Sequence, residues 1–141
     1  MDHNLMALLQ KQDLTEQILK ANDVTERFGI TLSKEDVGLI LAERKQVLRE
    51  QRRVEFGEGI VPKLIFEFCD SAYVDQENFV DTIIRLQEIF YLYKNETLDA
   101  MTDEELLRLM KEQFENVCCG DLDYLEGTGL AELARAVRKG E

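Results

Sequence analysis

The sequence lacks tryptophan and contains a single histidine, His3, so catalytic and metal sites that need several histidines are disfavoured. A zinc site needs histidine or cysteine ligands in paired spacing. A Ser–His–Asp triad needs a histidine base, and a di-iron bundle needs Glu-x-x-His pairs. The sequence also has no calcium-binding loop pattern and no glycine-rich phosphate loop followed by lysine. We therefore predict no catalytic residue, no cofactor and no metal site, and we lean against an enzyme.

Cysteine is scarce as well, with Cys69 standing alone and Cys118 adjacent to Cys119. A disulfide between adjacent cysteines strains the peptide that joins them, and an odd number of cysteines is typical of free thiols in a reducing compartment. No apolar run approaches the roughly 20 residues that span a bilayer, and Met1–Gln10 lacks the features of a secretory signal. We expect a cytoplasmic protein, while a redox role for the adjacent thiols stays open.

The sequence has one proline and eight scattered glycines, so no stretch reads as a linker between domains. A length of 141 residues is usual for one domain, and we predict a single all-helical domain over residues 1–141. Apolar residues recur with helical spacing almost everywhere. Residues 76–94 are apolar nearly all round, which is typical of a central helix. The predicted fold is all-α, a bundle of about five to seven helices around that central helix.

Capping residues mark the ends of several of these helices. Ser33 is a good N-cap for a long helix over 33–54, since acidic residues follow in its first turn. Thr102 is followed three residues later by a glutamate, which is the capping-box pattern. Shorter helices are predicted over 4–11 and 130–139.

The net charge is −12, which disfavours generic nucleic-acid binding. The charge is uneven, with +3 between Glu43 and Arg53 and −8 between Glu96 and Glu126. The basic side chains could be a solvated face, could pair internally with the acidic region, or could meet an acidic partner. The four residues of this candidate basic face are Lys45, Arg49, Arg52 and Arg53.

Arg44 occupies an unexpected place, at the centre of the apolar stripe of the 33–54 helix, with Gln51 beside it. Burying an unpaired guanidinium costs much free energy, so we expect a carboxylate partner. Glu67 and Asp70 on the following apolar helix are the predicted partners, which makes a candidate buried polar cluster of these four residues. Whether Arg44 is structural or functional stays open, since buried ion pairs occur in both roles.

The break after the long helix contains Gly57 and Gly59, just before a helix start. Backbone N–H groups in such a turn can bind an anion, and Arg52, Arg53 and Lys63 lie close in sequence. The two glutamates of this break oppose that reading. The alternative is that the glycines only permit a tight turn between helices.

Several segments resemble a family of small bacterial proteins of unknown function, over roughly residues 31–130. That resemblance implies a bacterial, cytosolic protein and carries no activity, cofactor or site residue with it. The segments that carry the resemblance are Arg53-Val54-Glu55-Phe56-Gly57 with Pro62-Lys63-Leu64-Ile65, Phe68-Cys69-Asp70-Ser71, Leu86-Gln87-Glu88-Ile89-Phe90-Tyr91 with Lys94-Asn95-Glu96, and Tyr124-Leu125-Glu126-Gly127-Thr128.

The favoured functional hypothesis is a non-enzymatic protein-interaction or regulatory module. Either the basic face or the acidic C-terminal third would dock another protein, with charge setting the association rate and specificity. Such a surface also needs an exposed apolar centre, for which Tyr73, Tyr91 and Tyr93 are candidates, although a place in the core explains these tyrosines equally well. No nucleic-acid or membrane partner is expected.

The alternative hypothesis is a small-ligand or anion binder, or an enzyme, that uses Arg44, Glu67 and Asp70 between helices. A solvent-open cavity at Arg44 would favour that hypothesis, whereas a sealed ion pair would favour a structural role. The sequence leaves the biological process, the partner and the oligomeric state open.

Overall fold

The computed structural model describes residues 14–55 and 59–129, without the side chains of residues 128 and 129. All regular structure in these ranges is helical, which confirms the all-α prediction. The two end helices predicted over 4–11 and 130–139 lie outside the described residues. In chain order the elements are α1 (14–20), α2 (Asn22–Thr25) followed by a 3-10 turn (Glu26–Phe28), α3 (Lys34–Glu50), α4 (Val61–Phe68), α5 (Phe79–Glu96), α6 (Asp103–Asn116) and α7 (Leu122–Tyr124), which continues as a π-helical turn (Leu125–Gly129).

Helix α3 begins where its capping residues predict. The Ser33 hydroxyl accepts a hydrogen bond from the Asp36 N–H at 3.1 Å, and the Asp36 carboxylate accepts one from the Ser33 N–H at 2.9 Å. This reciprocal pair satisfies two of the backbone donors that a helix N-terminus leaves without partners.

Helix α3 ends at Glu50, before the predicted end at residue 54. The N–H of Arg53 donates to the Leu48 carbonyl at 2.8 Å, and Arg52 has a left-handed backbone with φ of 55°. This is the Schellman arrangement, in which one left-handed residue closes the last helical turn. Glycine usually occupies that position, so an arginine gave no sequence signal for the stop.

Helix α5 is the central helix, as predicted, and it packs against α3, α4 and α6. It starts at Phe79 because Asp75 caps the preceding turn, with its carboxylate accepting hydrogen bonds from the N–H groups of Glu77 and Asn78 at 2.9 Å. The helix ends in a second Schellman arrangement, in which the Asp99 N–H donates to the Lys94 carbonyl at 2.9 Å.

Helices α4 and α6 close the core beside α5. Phe68 of α4 meets Phe114 of α6 edge to face, with ring centroids 5.4 Å apart. Lys111 of α6 ties down the end of α4 by donating to the Glu67 carbonyl at 2.7 Å and to the Asp70 carboxylate at 2.6 Å. Through this packing, the ends of α3 and α5 lie at the same end of the molecule as the starts of α4 and α6, and a cleft opens there.

Candidate functional site

The cleft has a volume of about 540 Å³. It combines basic, acidic and apolar side chains drawn from all four helix ends, so its composition depends on the tertiary fold and on no single segment. The described residues that line it are Arg53, Val54, Glu55, Gly59, Ile60, Lys63, Tyr91, Lys94 and Asp103.

Glu55 is the buried acid of this cleft, with a side chain only 4% exposed. Its carboxylate accepts hydrogen bonds from Arg44 Nε at 2.5 Å, from the Ile60 N–H at 3.0 Å and from the Tyr91 hydroxyl. Burial, followed by the hydrogen bond to Glu55, raises the pKa of Tyr91, so the phenol remains a protonated donor. The carboxylate thus connects α3, the start of α4 and α5, and its charge is compensated by the guanidinium.

The predicted polar cluster is not brought together. Arg44 does contact a carboxylate, as its position predicts, but the partner is Glu55 and not Glu67 or Asp70. Asp70 instead forms an ion pair with Lys111 at 2.6 Å. The reason is the turn after α3, which directs the chain back toward that helix and places Glu55 against it.

Gln51 also has a different role from the one predicted. Its side-chain oxygen accepts a hydrogen bond from the Asn95 amide at 2.9 Å, and Asn95 in turn accepts one from Arg53 Nε at 2.7 Å. These contacts join the end of α3 to the end of α5. Gln51 therefore belongs to the frame of the cleft and not to the Arg44 contact.

Gly59 lies against the buried acid, whereas Gly57 lies outside the described residues. Gly59 has φ of 71°, and a Cβ added there would collide with the Glu55 carboxylate. The position therefore requires glycine for two reasons: its left-handed backbone conformation, and the lack of space for a side chain. The turn suggested by the sequence also includes residues 56–58, which lie outside the described ranges, so it stays a prediction, whereas Gly59 itself forms part of the cleft wall.

Three cations project into the cleft, and each is held by a carboxylate that is itself largely solvated. The Lys94 side chain is only 13% exposed, whereas those of the three carboxylates are 41–62% exposed. The pairs are Arg53–Asp99 at 2.8 Å, Lys63–Glu104 at 2.7 Å and Lys94–Asp103 at 2.9 Å.

The basic face predicted from the sequence is divided by the structure. Arg53 turns into the cleft and pairs with Asp99. Lys45, Arg49 and Arg52 are exposed, and none of them forms an ion pair with any residue that the structure describes. We call these three residues the open basic face.

Of the three tyrosines predicted as exposed apolar residues, only Tyr73 is exposed. Tyr91 and Tyr93 are buried, whereas Tyr73 is 41% exposed and its ring packs edge to face against Phe114. Within the described ranges, the most exposed large hydrophobic side chains are Val54 at 75% and Leu98 at 74%. Each is the sequence neighbour of one member of the Arg53–Asp99 ion pair, whose two residues are 46 positions apart in the sequence.

These features define a small all-helical protein with a polar cleft and an adjacent basic surface. The chain belongs to a family of unknown function, DUF6323, whose model matches residues 17–141. This confirms the resemblance to a family without an assigned activity. No curated protein and no solved structure matches the chain. Over residues 14–55 and 59–129, no helix is long and apolar enough to cross a membrane, and no group of three potential metal ligands converges.

Proposed function

We propose that this protein is a non-enzymatic docking module that binds an acidic surface of another protein through its open basic face. One observation carries the proposal: three exposed cations without an ion-pair partner in the described ranges, Lys45, Arg49 and Arg52, are clustered within eight residues at the i, i+4 and i+7 positions, on a chain of net charge −12. Val54, two residues after Arg52, is the most exposed large hydrophobic side chain in those ranges, and Leu98, next to the Arg53 partner Asp99, is the second most exposed. Charged residues around an apolar centre are the usual anatomy of a protein interface.

Internal pairing was one of two competing explanations for the basic residues, beside a solvated face, and within the described residues it accounts for Arg53 alone. The acidic segment after α5 supplies partners for Arg53, Lys63 and Lys94. The three residues of the open basic face gain no such partner within the described chain. Because charge complementarity acts mainly on encounter rate and specificity, these residues suit the selection of an acidic partner.

The acidic C-terminal third is the less favoured docking surface. Several of its carboxylates are engaged within the protein, including Asp123 and Glu126, which both contact Arg85 at 2.9 and 3.1 Å. A partner of that region would have to compete with these contacts.

We further propose that docking occurs in the cytoplasm of a bacterial cell. The free state of Cys69, Cys118 and Cys119 supports the cytoplasm, and the family resemblance supports the bacterial origin.

The test is a charge-reversal variant with a matched control. The variant Lys45→Glu/Arg49→Glu/Arg52→Glu reverses the open basic face. The control Lys20→Glu/Arg27→Glu/Lys34→Glu changes the net charge equally, at residues that are also exposed and without ion pairs in the described part of the chain. Affinity capture from native cells, with mass spectrometry at low and high salt, would compare both variants with the unmodified protein.

We expect a specific partner that is retained by the unmodified protein and the control, lost from the face variant, and released by salt. A partner captured equally by all three proteins would contradict docking through this face. If both the face variant and the control lose the partner equally, binding depends on the net charge of the protein and not on the open basic face.

A further inference from the structure

We propose that the cleft between the four helix ends binds a small organic anion that carries a phosphate group or more than one carboxylate. In the bound state its charged group takes the place of the Asp99, Asp103 and Glu104 carboxylates at the three cations of the cleft. The cations of this site are not those of the open basic face, although Val54 borders both, and the proposal does not depend on the docking function.

The first argument is the convergence of cations in one partly enclosed space. Arg53, Lys63 and Lys94 all line the same cleft, although they come from three different elements. The Lys94 ammonium is the most enclosed, and it also donates to the Met101 carbonyl at 2.8 Å, which holds it in position. Interactions with charge are stronger where solvent is partly excluded.

The second argument is the weakness of the contacts that now satisfy these cations. The carboxylates of Asp99, Asp103 and Glu104 are 55%, 41% and 62% exposed, so they regain their hydration at little cost when they move away. Exposed ion pairs are typically worth only about 0–1 kcal/mol each. One anion with several oxygens can contact all three cations. Its binding then orders one molecule and releases three carboxylate side chains, which lowers the entropy cost of satisfying the cations.

The third argument is that the remaining wall suits an organic anion more than a free inorganic ion. The cleft volume of about 540 Å³ is in the range of small-molecule sites. Val54 offers an exposed apolar side chain at the wall. The buried acid Glu55 is compensated by Arg44, so its charge is partly neutralised toward an incoming anion.

The experiment measures binding of three probes, phenyl phosphate, inorganic phosphate and citrate, to the full chain by isothermal titration calorimetry at low salt. Lys63→Gln removes the most exposed of the three cleft cations. Glu104→Gln removes the charge of the carboxylate that competes for Lys63. Lys45→Gln is the matched control, since it removes one charge from the open basic face.

We expect Lys63→Gln to weaken binding about tenfold, as the loss of one charge-assisted hydrogen bond implies. Glu104→Gln should strengthen binding severalfold, and Lys45→Gln should leave it unchanged. Binding of phenyl phosphate alone would identify the phosphate class, and binding of citrate alone the carboxylate class. Phenyl phosphate should bind more tightly than inorganic phosphate because its ring can contact Val54.

Long-range electrostatics also predicts opposite effects, because the two cleft variants change the net charge in opposite directions. The Lys45→Gln control separates the two explanations, since it changes the net charge by the same amount as Lys63→Gln but at a residue outside the cleft. The proposal is overturned if none of the probes binds, or if Lys63→Gln and Lys45→Gln weaken binding equally. Both variants change exposed side chains, so retention of the native circular dichroism spectrum is the check that they are folded.

Discussion

Glu55 and Arg44 form the contact that ties the turn after α3 back onto that helix. The carboxylate is 4% exposed, the guanidinium side chain is 18% exposed, and Arg44 Nε lies 2.5 Å from Glu55 Oε1. Since Tyr91 and the Ile60 N–H also donate to this carboxylate, Glu55 is the residue through which three elements meet. A change to either member of the pair should therefore act on the stability of the whole cleft.

Replacing Arg44 with leucine should destabilise the fold. The substitution leaves the Glu55 carboxylate buried without its cation, and breaking a buried ion pair in this way costs about 3 kcal/mol or more. Urea denaturation followed by circular dichroism would measure the loss. Lys45→Leu is the control, because an exposed residue without an ion pair in the described ranges should change stability by less than about 0.5 kcal/mol. An unchanged midpoint for Arg44→Leu would refute the view that this pair is structural.

Alanine at Gly59 should be more damaging than alanine at Gly29. Both residues have a left-handed backbone, with φ of 71° and 79°. A Cβ at Gly29 meets nothing within 4 Å, so Gly29→Ala should cost only the conformational term of about 1 kcal/mol. At Gly59 the added Cβ also meets the Glu55 carboxylate, which must move away from its three donors. Equal losses of unfolding free energy in the two variants would show that the steric contact is unimportant.

Glycine at Leu98 should stabilise the protein. Leu98 has φ of 54° and a side chain 74% exposed, so it bears the cost of a left-handed backbone while burying little apolar surface. We expect Leu98→Gly to gain about 0.5 kcal/mol, because relief of the strain exceeds the added freedom of the unfolded chain. Leu39→Gly, at an exposed position within α3, should instead cost about 1 kcal/mol. A loss at Leu98 as large as that at Leu39 would contradict the strain argument.

The stability of the fold should fall between mildly acidic and mildly basic pH because of Glu88. Burial, followed by a hydrogen bond to Glu43, raises the pKa of Glu88 from 4.5 to about 7, with Glu126 adding to the rise and Arg85 opposing it. The folded protein thus favours the protonated carboxyl. The protonated Glu88 carboxyl therefore contributes fully to the free energy of unfolding below pH 4.5, and this contribution is lost as the pH rises through 7.

Glu88→Gln removes this titration, so its free energy of unfolding should vary less between pH 5 and pH 8 than that of the unmodified protein, a window set by the raised pKa of about 7. Denaturation curves at several pH values would compare the two. A Glu43→Gln variant should also weaken the dependence, because the repulsion between the two carboxylates is removed. Identical pH profiles in all three proteins would rule out this pair as the source.

Much of the secondary structure could be read from local patterns. The Ser33 capping box, the Thr102 capping box and the apolar circumference of the central helix each depend on residues within a few positions of one another. The helix stops at Arg52 and Leu98 could not be read in the same way. A non-glycine residue in a left-handed backbone carries no compositional signal, and the surrounding contacts determine its conformation.

The sequence by itself determined the all-helical class, the family and the need of Arg44 for a carboxylate. The helical class follows from hydrophobic periodicity, and the need for a carboxylate follows from the position of Arg44 within an apolar stripe, where an unpaired charge is costly. Both can be read within a single helix. Only the tertiary structure decided that the carboxylate is Glu55. It also decided that Arg53 turns into a cleft while Arg49 stays on the surface, and that Val54 and Leu98 flank one ion pair. These relationships depend on how the ends of four helices meet, and no spacing within a single helix encodes that meeting.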